Sequence, residues 1–288
     1  MNKTICDAMD VVNRRRAPHT LYHYCPNSTL KNIIKSKELW LGNIAYMNDT
    51  QELNYFVNRL KLCLQNTFSN DKLDRYNEVL EKMDSGLSKE NRHVFCLSEL
   101  YDDAAQWERY ANNACGVSVG FNSTFLVASV YNPLFLFGKV AYGNDPRNHA
   151  VYKVLREYIE TGELTEGFSS SNSIISNVLI CATQYKHDSF SSEHEWRIST
   201  SLSNRMNEQS CPDFHQDSKL IKGSIKDVVV VNLKDRCSQL KITFDDLFDN
   251  IIIGPRSKKS VEELQGYLKK LGHDKLAEKV YKSTCPLR

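Results

Sequence analysis

The feature that most constrains this chain is the irregular spacing of its strand-like segments. Short apolar or alternating runs at residues 21–24, 39–41, 92–97, 116–121, 134–142, 194–200, 228–231 and 249–253 have the length and period of β-strands. The helical stretches between them do not follow one per strand, as a doubly wound parallel sheet would require. An α+β fold built on a mixed or antiparallel sheet is therefore expected.

The helices read as follows. Residues 4–16 place Ile5, Met9 and Val12 at helical spacing, with Arg14, Arg15 and Arg16 where cations suit the helix dipole, before Pro18 ends the segment. Pro26, Asn27 and Ser28 make a turn that can cap a helix over 29–36, whose Leu30, Ile33 and Ile34 share a face. Residues 51–67 and 70–83 are lysine-rich and amphipathic and carry no chemistry-bearing cluster, so 51–90 is expected to be a helical insertion. Further helices are expected over 104–111, 146–160, 172–186 and 261–271, and loops over 163–173 and 203–218. The whole of 1–288 reads as a single domain, with an N-terminal helix within 1–18 and the remainder of the α+β core in 91–288.

Composition excludes several classes. The 37 Lys and Arg against 35 Asp and Glu leave a net charge of +2, which provides no overall field for nucleic acid or an acidic membrane. No run approaches a membrane span, and residues 1–10 carry acids and no apolar signal core, so no membrane partner and a cytoplasmic location are expected. The nine cysteines are scattered without a C-x-x-C pair or zinc spacing, which suits free thiols and no metal site. The glycine-rich nucleotide loops, H-E-x-x-H and G-x-S-x-G are all absent. Gly254-Pro255-Arg256 has one glycine only, and a strand-to-helix turn explains it better than an anion site.

Chemistry-bearing residues concentrate at strand ends: His23, Ser98, and the acids of Phe190-Ser191-Ser192-Glu193-His194-Glu195-Trp196-Arg197. On a strand, Glu193, Glu195 and Arg197 share one face, while His194 and Trp196 share the other. Taken alone, a surface ion pair on an edge strand accounts for that pattern. Asn48-Asp49, with Glu52 three residues on, reads as a helix cap, and Trp107 and Tyr110 on a helix read as core.

Together these segments resemble a widespread bacterial family known only as a domain of unknown function. The residues that carry the likeness are Tyr22-His23-Tyr24, Leu39-Trp40-Leu41, Tyr46-Met47-Asn48-Asp49, Phe95-Cys96-Leu97-Ser98, Gln106-Trp107-Glu108-Arg109-Tyr110-Ala111, Gly116 to Phe121, Glu195-Trp196-Arg197 and Ile252-Ile253-Gly254-Pro255. The opening histidine strand and the Leu-x-x-Ile-Ile helix after it also look like the start of ADP-ribosyltransferases, in which three strands supply a histidine or arginine, a serine or aromatic, and a late glutamate. The resemblance implies an ADP-ribosyltransferase-like core, NAD as substrate, and a macromolecular acceptor, either nucleic acid or protein. It implies a toxin or anti-phage role, and leaves room for a regulatory protein partner. Glu195 would stabilise an oxocarbenium-like state and His23 would hold a ribose hydroxyl. Tyr24 or Tyr46 would stack on nicotinamide, Ser98 would bind the ribose or carboxamide, Trp107 would line the pocket, and Arg197 would contact a phosphate or orient Glu195. The sequence departs from the toxins in lacking a Ser-Thr-Ser run at Ser98. Two other readings remain open: a non-catalytic nucleotide- or protein-binding module with the same cleft, and a metal-dependent nuclease using Asp49, Glu52 and Glu195.

Overall fold

Alternation along β1 (Thr20–Cys25) sends Leu21 and Cys25 into the main core and Tyr22 and Tyr24 into a smaller cluster on the other face. The computed structural model describes residues 17–46, 52–68, 73–89, 92–131, 135–143, 145–165, 167–201, 213–221 and 223–287. The helix expected over 4–16 lies outside these residues, as do Met47, Asn48 and Asp49.

The fold is α+β, with a ten-stranded, mostly antiparallel sheet among the described residues. β1 pairs along its whole length with β4 (Val117–Asn122), which pairs with β11 (Phe248–Ile253), and that strand takes the short parallel β12 (Val280–Lys282) on its far side. A second arm runs from β2 (Glu38–Asn43) to β10 (Ser224–Asn232) and β9 (Phe214–Ile221). A third runs from β8 (Glu195–Ser201) to β5 (Phe135–Lys139).

All three arms meet at β3 (Arg92–Ser98). β8 pairs with β3 residue by residue from Arg92 to Ser98 and so occupies one edge completely. A strand has two edges, so β1 and β2 must share the other: β1 bridges to Ser98, and β2 bridges to His93 and Val94. The sheet therefore forks, and residues 95–97 of β3 look into the gap between the two arms. α1 (Asn27–Ser36) connects β1 to β2 across this fork, burying Leu30, Ile33 and Ile34 as its spacing requires.

A second core is helical. α2 (Glu52–Gln65) and α3 (Leu73–Lys89) bury Phe56, Leu60, Val79 and Met83 against Leu155 and Ile159 of α6 (Ala150–Thr161) and Val178 and Leu179 of α7 (Ser171–Ala182). The stretch read as an insertion thus shares its apolar faces with two helices from much later in the chain. α4 (Ala104–Tyr110) begins with Asp103 accepting from the Gln106 amide and packs Trp107 beneath Tyr24.

Several local expectations are corrected. β9 lies partly in the stretch read as a loop; it is an edge strand with one face wet, so its polar residues hide its period. The helices α5 (Ser123–Ser129) and α8 (Leu233–Leu240) were not anticipated, and the helix expected over 172–186 stops at Ala182. The next residues, Tyr185–Lys186, form β7, which pairs with β6 (Ala141–Tyr142). At Gly254 a Cβ would come within 2.3 Å of the Ala114 carbonyl oxygen, which is why glycine stands there; the turn serves backbone packing. Cys25, Cys63, Cys96, Cys115, Cys181, Cys237 and Cys285 are free thiols. Among the described residues no helix is long and apolar enough to cross a membrane.

Candidate functional site

The fork of the sheet opens into a cleft of about 620 Å³, lined by His23, Trp40, Cys96, Ser98, Lys186 and Glu195 among others. That size lies within the roughly 300–1,000 Å³ usual for small-molecule sites. β1 and β3 form its floor, α1 and β2 one side, and Lys186 of β7, Phe190 and Glu193 of the turn after it, and α4 the other.

His23 fills the gap in the sheet. Its Nδ1 donates to the Cys96 carbonyl oxygen at 2.8 Å, standing in for a ladder bond that β1 and β2 both fail to supply, and its ring stacks on Phe95 with centroids 4.4 Å apart. Burial holds its pKa below the ordinary value, although the Cys96 carbonyl opposes the shift. With the ring neutral and Nδ1 protonated, Nε2 is the acceptor it offers.

Opposite lies a network of buried charge. Glu195 and Arg197 stand two residues apart on β8 and so share a face; Arg197 grips the carboxylate with Nε at 2.8 Å and Nη2 at 3.0 Å. Lys186 Nζ reaches Glu195 at 3.1 Å and Glu193 at 2.7 Å, and it also sits 4.9 Å from the centre of the Phe190 ring. The Tyr110 hydroxyl donates to Glu193 at 2.6 Å, and Arg109 approaches the same oxygen at 3.4 Å. Burial alone would raise the Glu195 pKa, but the charges of Arg197 and Lys186 and the Cys96 thiol bring it down to about 2. Glu195 is therefore a fixed anion at neutral pH. The Cys96 thiol beside it is pushed well up, by burial first and then by that carboxylate.

The surface ion pair on an edge strand is corrected: β8 runs between β3 and β5, and the Arg197 side chain is 0% exposed. The structure brings His23, Ser98 and Glu195 onto the adjacent strands β1, β3 and β8, with Tyr22, Ser98 and Glu195 in one row across the sheet. Arg197 orients Glu195. Ser98 Oγ is already committed, donating to the Glu193 carbonyl at 2.7 Å and accepting from the Leu100 amide at 3.1 Å. The Tyr24 hydroxyl likewise donates to the Leu100 carbonyl and accepts from the Asp103 amide, and its ring is buried against Trp107.

Tyr46 and Trp107 lie elsewhere. Tyr46 is 56% exposed beneath Lys226, and it does not line the cleft. Trp107 is fully buried, its Nε1 donating to Asp102 at 2.7 Å, and belongs to the core. Asp49 and the side chain of Glu52 fall outside the described residues, and among those described no group of three or more His, Cys, Asp or Glu is placed to hold a metal.

Sequence reasoning missed Lys186 and Trp40 as cleft residues, and it gave no pocket role to Phe190 and Glu193 within the chemistry-bearing stretch. Lys186 was assigned to a helix, and nothing in its neighbours signals a buried lysine. Glu193 was noticed only as a strand residue; the turn Asp188–Glu193 instead folds it back toward Lys186. Trp40 is half-buried in the cleft wall, its Nε1 donating to Glu38 at 2.8 Å.

No curated protein and no solved structure matches this chain. Residues 106–198, just under a third of the chain and including α4 from Gln106 onward, Lys186 and Glu195-Trp196-Arg197, match the family model described as protein of unknown function, DUF2971.

Proposed function

We propose that the cleft binds NAD and breaks the bond between nicotinamide and ribose, passing ADP-ribose to a macromolecular acceptor or to water. The observation that carries the reading is the convergence of His23, Ser98 and Glu195 from three adjacent strands on one cleft. In the step, the C1′–N bond breaks and the pair of electrons leaves with neutral nicotinamide. The acceptor's oxygen or nitrogen, or water, then bonds to C1′ and gives up its proton. Positive charge grows on the ribose, and a fixed anion stabilises it without being reoriented. Glu195, held ionised by Arg197 and Lys186, has that property; with a pKa near 2 it has no proton to donate as an acid. Nε2 of His23 accepts a ribose hydroxyl, and the half-buried rings of Trp40 and Phe190 offer flat faces for a base or nicotinamide. Ser98 and Tyr24, whose hydroxyls are spent on the backbone, shape the wall.

A binding module with the same cleft is the second reading, favoured by the three cationic hydrogen bonds that already occupy the Glu195 carboxylate. One experiment separates the two. Nicotinamide release from NAD by purified protein, with and without cell lysate, is compared between the native chain and Glu195→Gln. Release that falls about a hundredfold in the variant supports the transferase. Calorimetric NAD binding by both proteins with no release by either supports a nucleotide-binding module, and neither release nor NAD binding removes the transferase reading and leaves a scaffold that binds another partner.

A further inference from the structure

Lys186 is a buried cation from the middle of the chain, and its position invites a specific role. Its Nζ lies 2.7 Å from Glu193 and 3.1 Å from Glu195, so one ammonium bridges two carboxylates whose side chains are nearly inaccessible to water. Arg197 faces Glu195 from β8, at 2.8 Å. Arg109 and Tyr110 face Glu193 from α4, the arginine half-exposed and 3.4 Å away. Among the described residues, neutral groups also stand around the pair: the Cys96 thiol from β3, the Tyr142 hydroxyl from β6, which accepts from the Glu195 amide, and His23 from β1.

Among the described residues, and counting only buried charges, two anions meet two cations. Remove Lys186 and two carboxylates remain with one buried arginine, which grips Glu195. Like charges that close together cannot both stay ionised cheaply, and such a pair takes up a proton.

We infer that Lys186 is a positioning residue, keeping Glu193 and Glu195 anionic side by side and holding the Glu195 carboxylate in place at the cleft. Its effect on turnover rests on the NAD reading above, whereas its effect on the carboxylates does not.

The test uses full-length protein carrying carboxyl-13C glutamate. Infrared difference spectra between pH 5 and 8 are recorded for the native chain, Lys186→Met, Lys186→Arg and the double variant Lys186→Met/Glu193→Gln, alongside the pH profile of nicotinamide release. The expected result is a protonated-carboxyl band in Lys186→Met that is absent from the native chain, from Lys186→Arg and from the double variant. The acid limb of the release profile should move up by about one pH unit or more in Lys186→Met and return in Lys186→Arg. A Lys186→Met spectrum without that band overturns the inference. If Lys186→Met does not fold, a folded double variant supports it, because removing one carboxylate has restored the balance; equal instability of both overturns it, since Lys186 would then act through packing. If the native protein releases no nicotinamide, the NAD reading fails while the infrared result still decides the charge role.

Discussion

Nδ1 of His23 donates to the carbonyl of Cys96 at 2.8 Å across the gap where β1 and β2 part, so a side chain closes the sheet where no backbone can. Replacing His23 with Leu should leave that carbonyl without its partner and cost about 1–3 kcal/mol in denaturant unfolding. His23→Asn, whose amide can still donate, should recover part of the loss. The native histidine also carries a pH signature. Its folded pKa lies below the ordinary 6.5, so the unfolded chain binds the proton first, and stability should decline as pH falls below about 6.5. A His23→Leu protein with the native acid-side slope would count against this account.

The Arg197–Glu195 pair predicts a larger loss. Both partners are buried, and Arg197 also donates to the Thr183 carbonyl at 2.7 Å. Arg197→Met leaves the two buried carboxylates with Lys186 as their one buried cation and should destabilise the chain by about 3–5 kcal/mol, measured by chemical denaturation. The Glu195 pKa is depressed to about 2, so the stability it contributes is complete above its ordinary 4.5 and lost as pH falls toward 2. Arg197→Met should remove most of that acid dependence.

His149 gives the helical core its own titration. It caps α6 by accepting from the Val151 amide at 3.1 Å while its ring packs edge-on against Phe56 and Tyr185. Burial lowers its pKa to about 4. The unfolded chain therefore takes up a proton between pH 6.5 and 4 that the folded chain refuses, and stability should fall through that window. His149→Asn keeps a capping acceptor and should flatten the dependence, as read by thermal unfolding at a series of pH values.

Asp102 ties the last residues to the loop beside the site. Held at φ +56°, it accepts from Ser283 Oγ, Thr284 Oγ1, the Thr284 and Cys285 amides, and Trp107 Nε1. Asp102→Ala should expose residues 283–287 to proteolysis and cost about 2 kcal/mol or more, because several donors lose one acceptor together. Unchanged protease resistance of that segment would show that Cys285 and Leu287 hold it by packing alone.

Much of the fold was legible where residues obey a local period. The apolar runs of β3, β4, β10 and β11 are buried on both faces and read as strands whatever they pair with, and α1 and α9 (Val261–Lys270) declare themselves by spacing and by the Ser260 cap. β9 and β7 were illegible because one is a wet edge and the other is two residues long.

The sequence alone determined the α+β class, the main strands, and the presence of His23, Ser98, Glu195 and Arg197 on strands, since these follow from side-chain period and residue type. The structure sets His23 and Arg197 inside their strands and Ser98 and Glu195 at strand ends. Only the tertiary structure decided that β1 and β2 share one edge of β3, that this fork makes a cleft, and that Lys186 and Glu193 complete the charge of Glu195. The physical reason is range. Backbone period acts over a few residues, whereas strand partnership and buried charge balance join groups whose separation along the chain carries no signal of their contact in space.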